Sequence, residues 1–253
     1  MRLIADNIHG LNPVVAEAMV ELDPKPVQEL ALQCVKNGAD IIDLNPGHLS
    51  RRREDRMEFL VDAVQEVTSV RLMLDSPNPR LLERGLSACV QTPILDAVSL
   101  EAIKIAEILP LAVTYGAELV ALLMDRDSRT PPGVDEKLAI AIEIRELAIE
   151  AGLGTDKIIY DPVLPSLSWH DPFFQLGEVI KGVRLLTSGA IFGEPAKTMT
   201  GISNLRSGMR SHVPDSIDTV ALSLLAGAGL DFALADALQP TIVETCRSVR
   251  QIL

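Results

Sequence analysis

Eight short apolar runs, each closing on a polar residue and each separated from the next by a helical stretch, constrain this chain more than any other feature. They are Leu3 to Asp6, Ile41 to Asn45, Leu72 to Asp75, Ile94 to Asp96, Leu119 to Asp125, Ile158 to Asp161, Met199 to Asn204 and Leu230 to Asp236. Runs this short and this apolar read as strands buried on both faces, as in a parallel sheet covered by helices. Three of them follow a glycine placed where a helix would stop: Asn37-Gly38-Ala39-Asp40, Tyr115-Gly116-Ala117-Glu118 and Ala228-Gly229-Leu230-Asp231. A glycine there takes the left-handed conformation that ends a helix and releases the chain into a strand. Between the runs, Met57, Leu60, Val61 and Val64, and later Ile140, Ile144, Leu147 and Ala148, recur at helical spacing.

Eight such units, with no composition break and no Gly/Ser-rich linker, predict one (β/α)8 TIM barrel over residues 1–253 as a single domain. An open doubly wound sheet is the alternative. Against it, no GxGxxG follows the first run and no GxxxxGK[ST] occurs, so the phosphate loops of those folds are missing. Apolar residues make up 47% of the chain and aromatic ones only 3%, so the core is built mainly from Leu, Ile, Val and Ala. The formal charge of −12 opposes attraction to nucleic acid or anionic membranes, so neither is expected as a partner. Cys34, Cys89 and Cys246 form no CxxC pair; Cys34 and Cys246 fall on apolar helical stripes and are expected in the core. The amino terminus shows no basic segment before a long apolar one, and no membrane span is read, so a cytoplasmic location is expected.

In a barrel, chemistry gathers at the C-terminal ends of the strands. The runs supply Asp43, Asn45, Asp75, Asp96, Asp125, Asp161, Asn204 and Asp236 there, and no lysine. A Schiff-base aldolase needs an amine in that place, so it is disfavoured. Two readings of the acids remain: oxygen ligands for a divalent cation, or acceptors for a heterocycle with adjacent N–H donors. Two long post-strand loops, Arg126 to Gly133 and Pro162 to Pro172 with Trp169 and His170, are expected on the same face.

The segments Val70-Arg71-Leu72-Met73-Leu74-Asp75-Ser76, Ile159-Tyr160-Asp161-Pro162 and Thr200-Gly201-Ile202-Ser203-Asn204 resemble those of the pterin-binding barrels, specifically the methyltetrahydrofolate:corrinoid methyltransferases. Asp43-Leu44-Asn45-Pro46-Gly47, Pro110-Leu111-Ala112-Val113, Met124 and Leu234-Ala235-Asp236-Ala237 support the match, which runs over essentially the whole chain. The resemblance implies an enzyme that moves a methyl group between N5 of tetrahydrofolate and a corrinoid (cobalamin) carried by a partner protein. It implies that Asp75 and Asp161 anchor the donor edge of the pterin and that Asn204 places its carboxamide at N5. Asp43, Asn45, Asp96, Met124 and Asp236 complete the expected pterin-binding set, and a homodimer is implied, with Val220 to Leu230 either its interface or a fully buried helix. No metal ligand set is expected, since no HxH, HExxH or Cys-rich cluster occurs.

The chain also departs from that family, which usually has Asn at Asp96, an amide at Asp125, and a different opening from Ala5-Asp6-Asn7-Ile8-His9-Gly10. An ionised Asp only accepts hydrogen bonds where Asn both donates and accepts. Crowding by Asp75 and Asp161 is expected to raise at least one pKa, which makes Asp96 a candidate proton store, catalytic alongside Asn204. An acid-rich pocket suits loss of the N5 proton, so the favoured direction is from methyl-corrinoid to tetrahydrofolate. His9 is placed near the pocket, His48, His170 and His212 in loops, and Arg51 to Arg53 in a solvated segment able to meet an acidic partner. Alternatives are a dihydropteroate synthase-like enzyme, although that family's Ser-Thr-Arg-Pro loop is absent, a magnesium-dependent barrel lyase, and a folate- or corrinoid-binding protein without activity.

Overall fold

The computed structural model describes residues 1–47, 54–209, 213–214 and 216–253. His48, His212 and Arg51 to Arg53 lie outside the described residues. Over the rest, eight parallel strands pair in sequence order and the eighth closes on the first. The strands are β1 (Arg2–His9), β2 (Ile41–Asn45), β3 (Arg71–Asp75), β4 (Ile94–Val98), β5 (Glu118–Leu122), β6 (Ile158–Asp161), β7 (Lys197–Gly201) and β8 (Phe232–Ala235). Helices fill the connections: α1 (Pro13–Glu21), α2 (Lys25–Asn37), α3 (Arg56–Gln65), α4 (Pro79–Ala88), α5 (Ala102–Glu107), α6 (Leu109–Tyr115), α7 (Val134–Glu150), α8 (Pro172–Thr187), α9 (Ser216–Gly227) and α10 (Pro240–Ile252). The protein is a (β/α)8 barrel, and each of the eight apolar runs overlaps one of its strands.

Local chemistry sets these limits. Gly38 and Gly116 end α2 and α6 in the left-handed region, at φ 104° and 62°. Asn12 and Asn78 cap α1 and α4, each side chain accepting from the backbone N–H two residues on. Strand ends differ from the runs in five places, the smallest at β8, which stops at Ala235, one residue before Asp236. β1 continues past Asp6, because after a bulge Ile8 and His9 pair again with Leu44 and Asn45. β4 passes through Asp96 to Val98, which pairs with Ala121. β5 stops at Leu122, so Met124 and Asp125 belong to the following loop, and β7 stops at Gly201, leaving Asn204 in a 3-10 turn over Ile202–Arg206. α9 is not the fully buried helix that was one expectation: it packs Ala221, Leu222 and Leu225 inward while Val220 and Leu224 stay about half exposed. Cys34 and Cys246 are buried as expected. Among the described residues no helix is long and apolar enough to cross a membrane.

One residue from each strand fills the middle of the barrel: Ile4, Ile41, Met73, Ile94, Val120, Ile159, Met199 and Phe232. Because side chains alternate along a strand, positions two residues away on either side face the same interior. Towards the N-terminal end these include Arg2, Arg71, Glu118 and Lys197. Both Arg71 and Lys197 hydrogen-bond the buried Glu118, and Arg2 lies 4.3 Å from the centre of the Phe232 ring. Burial pushes Glu118 upward, but the two cations outweigh it and hold its carboxyl below the usual range. Towards the C-terminal end the same rule gives Asp6, Asp43, Asp75, Asp96, Leu122, Asp161, Gly201 and Leu234. Five of these eight are aspartates, and they form the floor of the barrel mouth.

Candidate active site

The acidic layer opens into a cavity of about 240 Å³ lined by Asp75, Asp96, Asp161 and Asn204 together with Lys104 and Leu122; Gly201 and Leu234 contribute apolar surface. Three carboxylates and one carboxamide thus meet around a space with one apolar wall, which suits a flat ligand rich in N–H donors. Asp75 and Asp96 are direct partners across β3 and β4. Asn45 donates to Asp75 Oδ2 at 2.5 Å, while its own Oδ1 accepts from the Gly47 N–H at 2.9 Å. Asn45 therefore orients Asp75 from the edge of the site. Asp161 is buried, and its Oδ1 accepts from the Val163 N–H at 2.7 Å. Behind it the buried ammonium of Lys137, from α7, donates to the Pro162 carbonyl at 2.6 Å.

Asp43 lies deeper. It is buried, and its Oδ1 has no hydrogen-bond partner, beside Asp75, Asp96 and Asp6. Asn204 stands over Gly201: a Cβ on that glycine would come within 3.3 Å of Asn204 Nδ2, so the missing side chain leaves the carboxamide its place. Asp236 is exposed at the rim, accepting from Asn7 Nδ2 at 2.5 Å and from the Leu238 N–H at 2.8 Å. Met124 is half-buried in the β5 loop, where its carbonyl accepts from the Leu100 N–H, and it stands outside the cavity lining, as does His9. Asp125 folds its own loop, its Oδ1 accepting from the Asp127 and Arg129 N–H groups at 2.9 Å each. His170 is exposed and pairs with Asp171. Among the described residues, no group of three or more His, Cys, Asp or Glu is arranged to hold a metal ion.

The absence of a lysine at every strand end does not leave the mouth without an amine. Lys104 reaches the cavity from α5 and Lys137 approaches Asp161 from α7. Neither has a signal in the run pattern, since both sit on helices. Asp6, which ends the first run and lies in the opening that departs from the family pattern, belongs to the acidic layer and takes a hydrogen bond from Ser203.

Electrostatics follow from crowding. Burial drives all of these acids upward: Asp75 to about 6 and Asp161 to about 7. Asp96 is also raised well above the usual carboxylate range, by burial and then by Asp75 and Asp161, and Asp43 by burial and then by Asp75, Asp96 and Asp6. Burial alone lowers Lys137 to about 8, with Asp161 opposing. The folded state consequently binds protons more tightly than the unfolded chain between about pH 4 and 7, so stability falls as pH rises through that window. Glu118 has the opposite sign, but its window lies below the usual glutamate pKa. The ligand-free protein should therefore unfold at a temperature about 5 °C higher near pH 5.5 than near pH 7.5. Scanning calorimetry at the two pH values checks this; an unfolding temperature equal or lower at the acid value contradicts it.

Comparison with known proteins bears on the family and the fold. Residues 12–234 match the family model described as pterin binding enzyme. A methylcorrinoid:tetrahydrofolate methyltransferase of Eubacterium limosum is 27% identical over 239 residues, 93% of this chain and 85% of that protein. Methionine synthase of Mycobacterium leprae is 24% identical over 91% of this chain, which spans only 19% of that longer protein. Among solved structures, Yersinia pestis DHPS with a pterine-sulfa conjugate superposes with a TM-score of 0.70 at 15% identity, covering 99% of this chain and 93% of that one. Dihydropteroate synthase from Thermus thermophilus gives 0.68 at 19% identity, covering 99% and 92%. At these identities the structural matches speak to the fold.

Proposed function

The chain belongs to the pterin-binding enzyme family, and from that premise we propose that it is a methyltransferase that carries a methyl group from a protein-bound methyl-corrinoid to N5 of tetrahydrofolate. The observation that carries the reading is the meeting of Asp75, Asp96, Asp161 and Asn204 at one cavity. A reduced pterin presents N–H groups along one edge, and carboxylates are the acceptors that match them pairwise. The unpartnered Oδ1 of Asp43 adds acceptor capacity beneath the same floor. The name of the Eubacterium limosum relative supports both the substrates and the direction.

In this reading Asp75, oriented by Asn45, and Asp161, oriented by the Val163 N–H, hold the donor edge of the ring. Asn204 meets N5 from the turn after β7. The corrinoid, brought by its own protein to the open face, supplies the methyl group. As the N5 lone pair takes that methyl, the bond from methyl to corrinoid breaks and its electron pair stays with the corrinoid; positive charge develops on nitrogen, and the hydrogen already on N5 must leave as a proton. Asp96 takes it. A carboxylate of ordinary pKa is a feeble base, and the enclosure that raises Asp96 brings it closer to the strength useful near neutral pH. No covalent enzyme intermediate is required, so the contribution of the barrel is placement and electrostatics.

Asp236, which caps the turn after β8, and Met124 in the β5 loop belong to the rim against which the remainder of the folate molecule lies. Trp169 in the loop after β6, with Phe173 and Phe174 in the first turn of α8, all exposed, offer apolar surface to the corrinoid protein at the same face. The groove of about 700 Å³ between α9 and α10, with Val220, Leu224 and Ile252 exposed along it, is the proposed homodimer contact.

The test mixes the protein with methylcobalamin and tetrahydrofolate under anaerobic conditions and follows cobalt absorbance, with the reverse reaction as control. Loss of the methyl-cobalt spectrum with formation of methyltetrahydrofolate is expected. Failure in both directions, with free and with protein-bound corrinoids, overturns the reading.

A further inference from the structure

The pairing of β3 with β4 sets Asp75 directly against Asp96, and like charges placed opposite one another on adjacent strands repel. Asp161 from β6 faces the same space, Asp43 from β2 lies beneath the pair, and Asp6 from β1 lies behind Asp43. Each of these pushes in the same direction as burial, towards protonation. Lys137 is close to Asp161 but outside the cavity lining. Among the described residues, Lys104 is the one Lys or Arg side chain that lines the cavity.

Lys104 is also held in place. Its ammonium pairs with Glu101 at 2.6 Å, and its side chain is only 19% exposed. Glu101 in turn accepts from Ser99 Oγ at 2.8 Å, and Ser128 hydrogen-bonds it as well. Together with Lys104 these contacts hold the Glu101 carboxyl down at about 2, so it stays ionised as a fixed counter-ion. Lys104 therefore stands in the cavity wall with Asp75 and Asp96, and its charge opposes the upward drive on both.

We propose that Lys104 is a positioning residue that sets the charge of the Asp75 and Asp96 pair, keeping one of the two carboxylates ionised so that the pair can hold the ligand's N–H groups and receive a proton. The role in transfer rests on the folate reading; the charge-setting itself is a property of the free protein. An opposite charge within about 4–6 Å of a carboxyl lowers its pKa by about one to three units, and Lys104 shares the cavity wall with both acids. Removing it moves the point at which the pair loses its proton to higher pH.

The experiment follows the side-chain carboxyl 13C signals of the aspartates against pH in the ligand-free wild type, Lys104→Met, Lys104→Gln and Lys104→Arg, with tetrahydrofolate affinity and transfer rate measured on the same samples. In Lys104→Met and Lys104→Gln, the titration of Asp75 and Asp96 should move up by about one pH unit. The acid limb of the transfer profile should move with it, costing about tenfold in rate at a pH below that limb. Lys104→Arg, which keeps the charge, should leave the titration within about 0.3 of a unit of wild type. In an Asp96→Asn background the acid limb should no longer respond to Lys104→Met. Unchanged aspartate titrations in both neutral variants overturn the inference, as does a rate loss of equal size at every pH. A shifted titration in a protein that neither binds tetrahydrofolate nor transfers methyl overturns the proposed function and leaves the charge-setting role standing.

Discussion

Asn204→Ala should lower the rate of methyl transfer about 100-fold while changing tetrahydrofolate affinity by less than about fivefold. The residue sits in the 3-10 turn after β7, half-buried, with its carboxamide over the bare backbone of Gly201. In the ground state a neutral N5 gains little from one amide contact that water could replace. As the methyl group arrives, charge develops at N5, and a fixed dipole already aimed there strengthens when water cannot reorganise around it. Single-turnover transfer and equilibrium binding, measured separately, check the division. A variant that binds tetrahydrofolate about 100-fold more weakly yet transfers normally once saturated rejects the role given to Asn204.

Asp75→Ala should behave in the opposite way. Affinity for tetrahydrofolate is expected to fall about 100-fold, with the saturated transfer rate within about fivefold of wild type. A charge-assisted hydrogen bond in an enclosed site contributes about 1.5–3 kcal/mol. The truncation also leaves Asn45 Nδ2 without the partner it now meets at 2.5 Å. Isothermal titration of the reduced folate against wild type and variant reads the effect. Retained affinity with a lost rate would move Asp75 from the anchor role to the chemical one.

The barrel was legible because its evidence is distributed. Eight buried strands and their helix stops repeat the same physical signal, and an error in any one run does not disturb the others. The site was legible in part, for a related reason: Asp75 and Asp161 end their strands, so the end of an apolar run marks them directly. Asp96 does not end its strand. It interrupts an apolar run, yet β4 carries on to Val98, and Asp96 faces the mouth by alternation from Ile94. The same alternation, applied to every strand, picks out Asp6 and passes over Asp125, which turns back to cap its own loop. Lys104 and Lys137 had no such marker. Their Cα atoms lie on helices, and only the fold brings a flexible side chain from there to the strand ends.

The apolar disc of Ile4, Ile41, Met73, Ile94, Val120, Ile159, Met199 and Phe232 acts as an insulating septum. On one side the Arg71, Glu118 and Lys197 network closes the base of the barrel; on the other stand the aspartates. From Arg71 to Asp75 the strand climbs only about 13 Å, yet the two charged ends are separated by side chains that neither ionise nor admit water. Among the described residues the two ends therefore share no ion pair, and the apolar layer offers no chain of polar side chains along which a proton shed at the mouth could reach the base. The two ends are also independent evolutionary levers: substitutions at the base tune how firmly the barrel closes, and substitutions at the mouth tune which protons its ligand keeps.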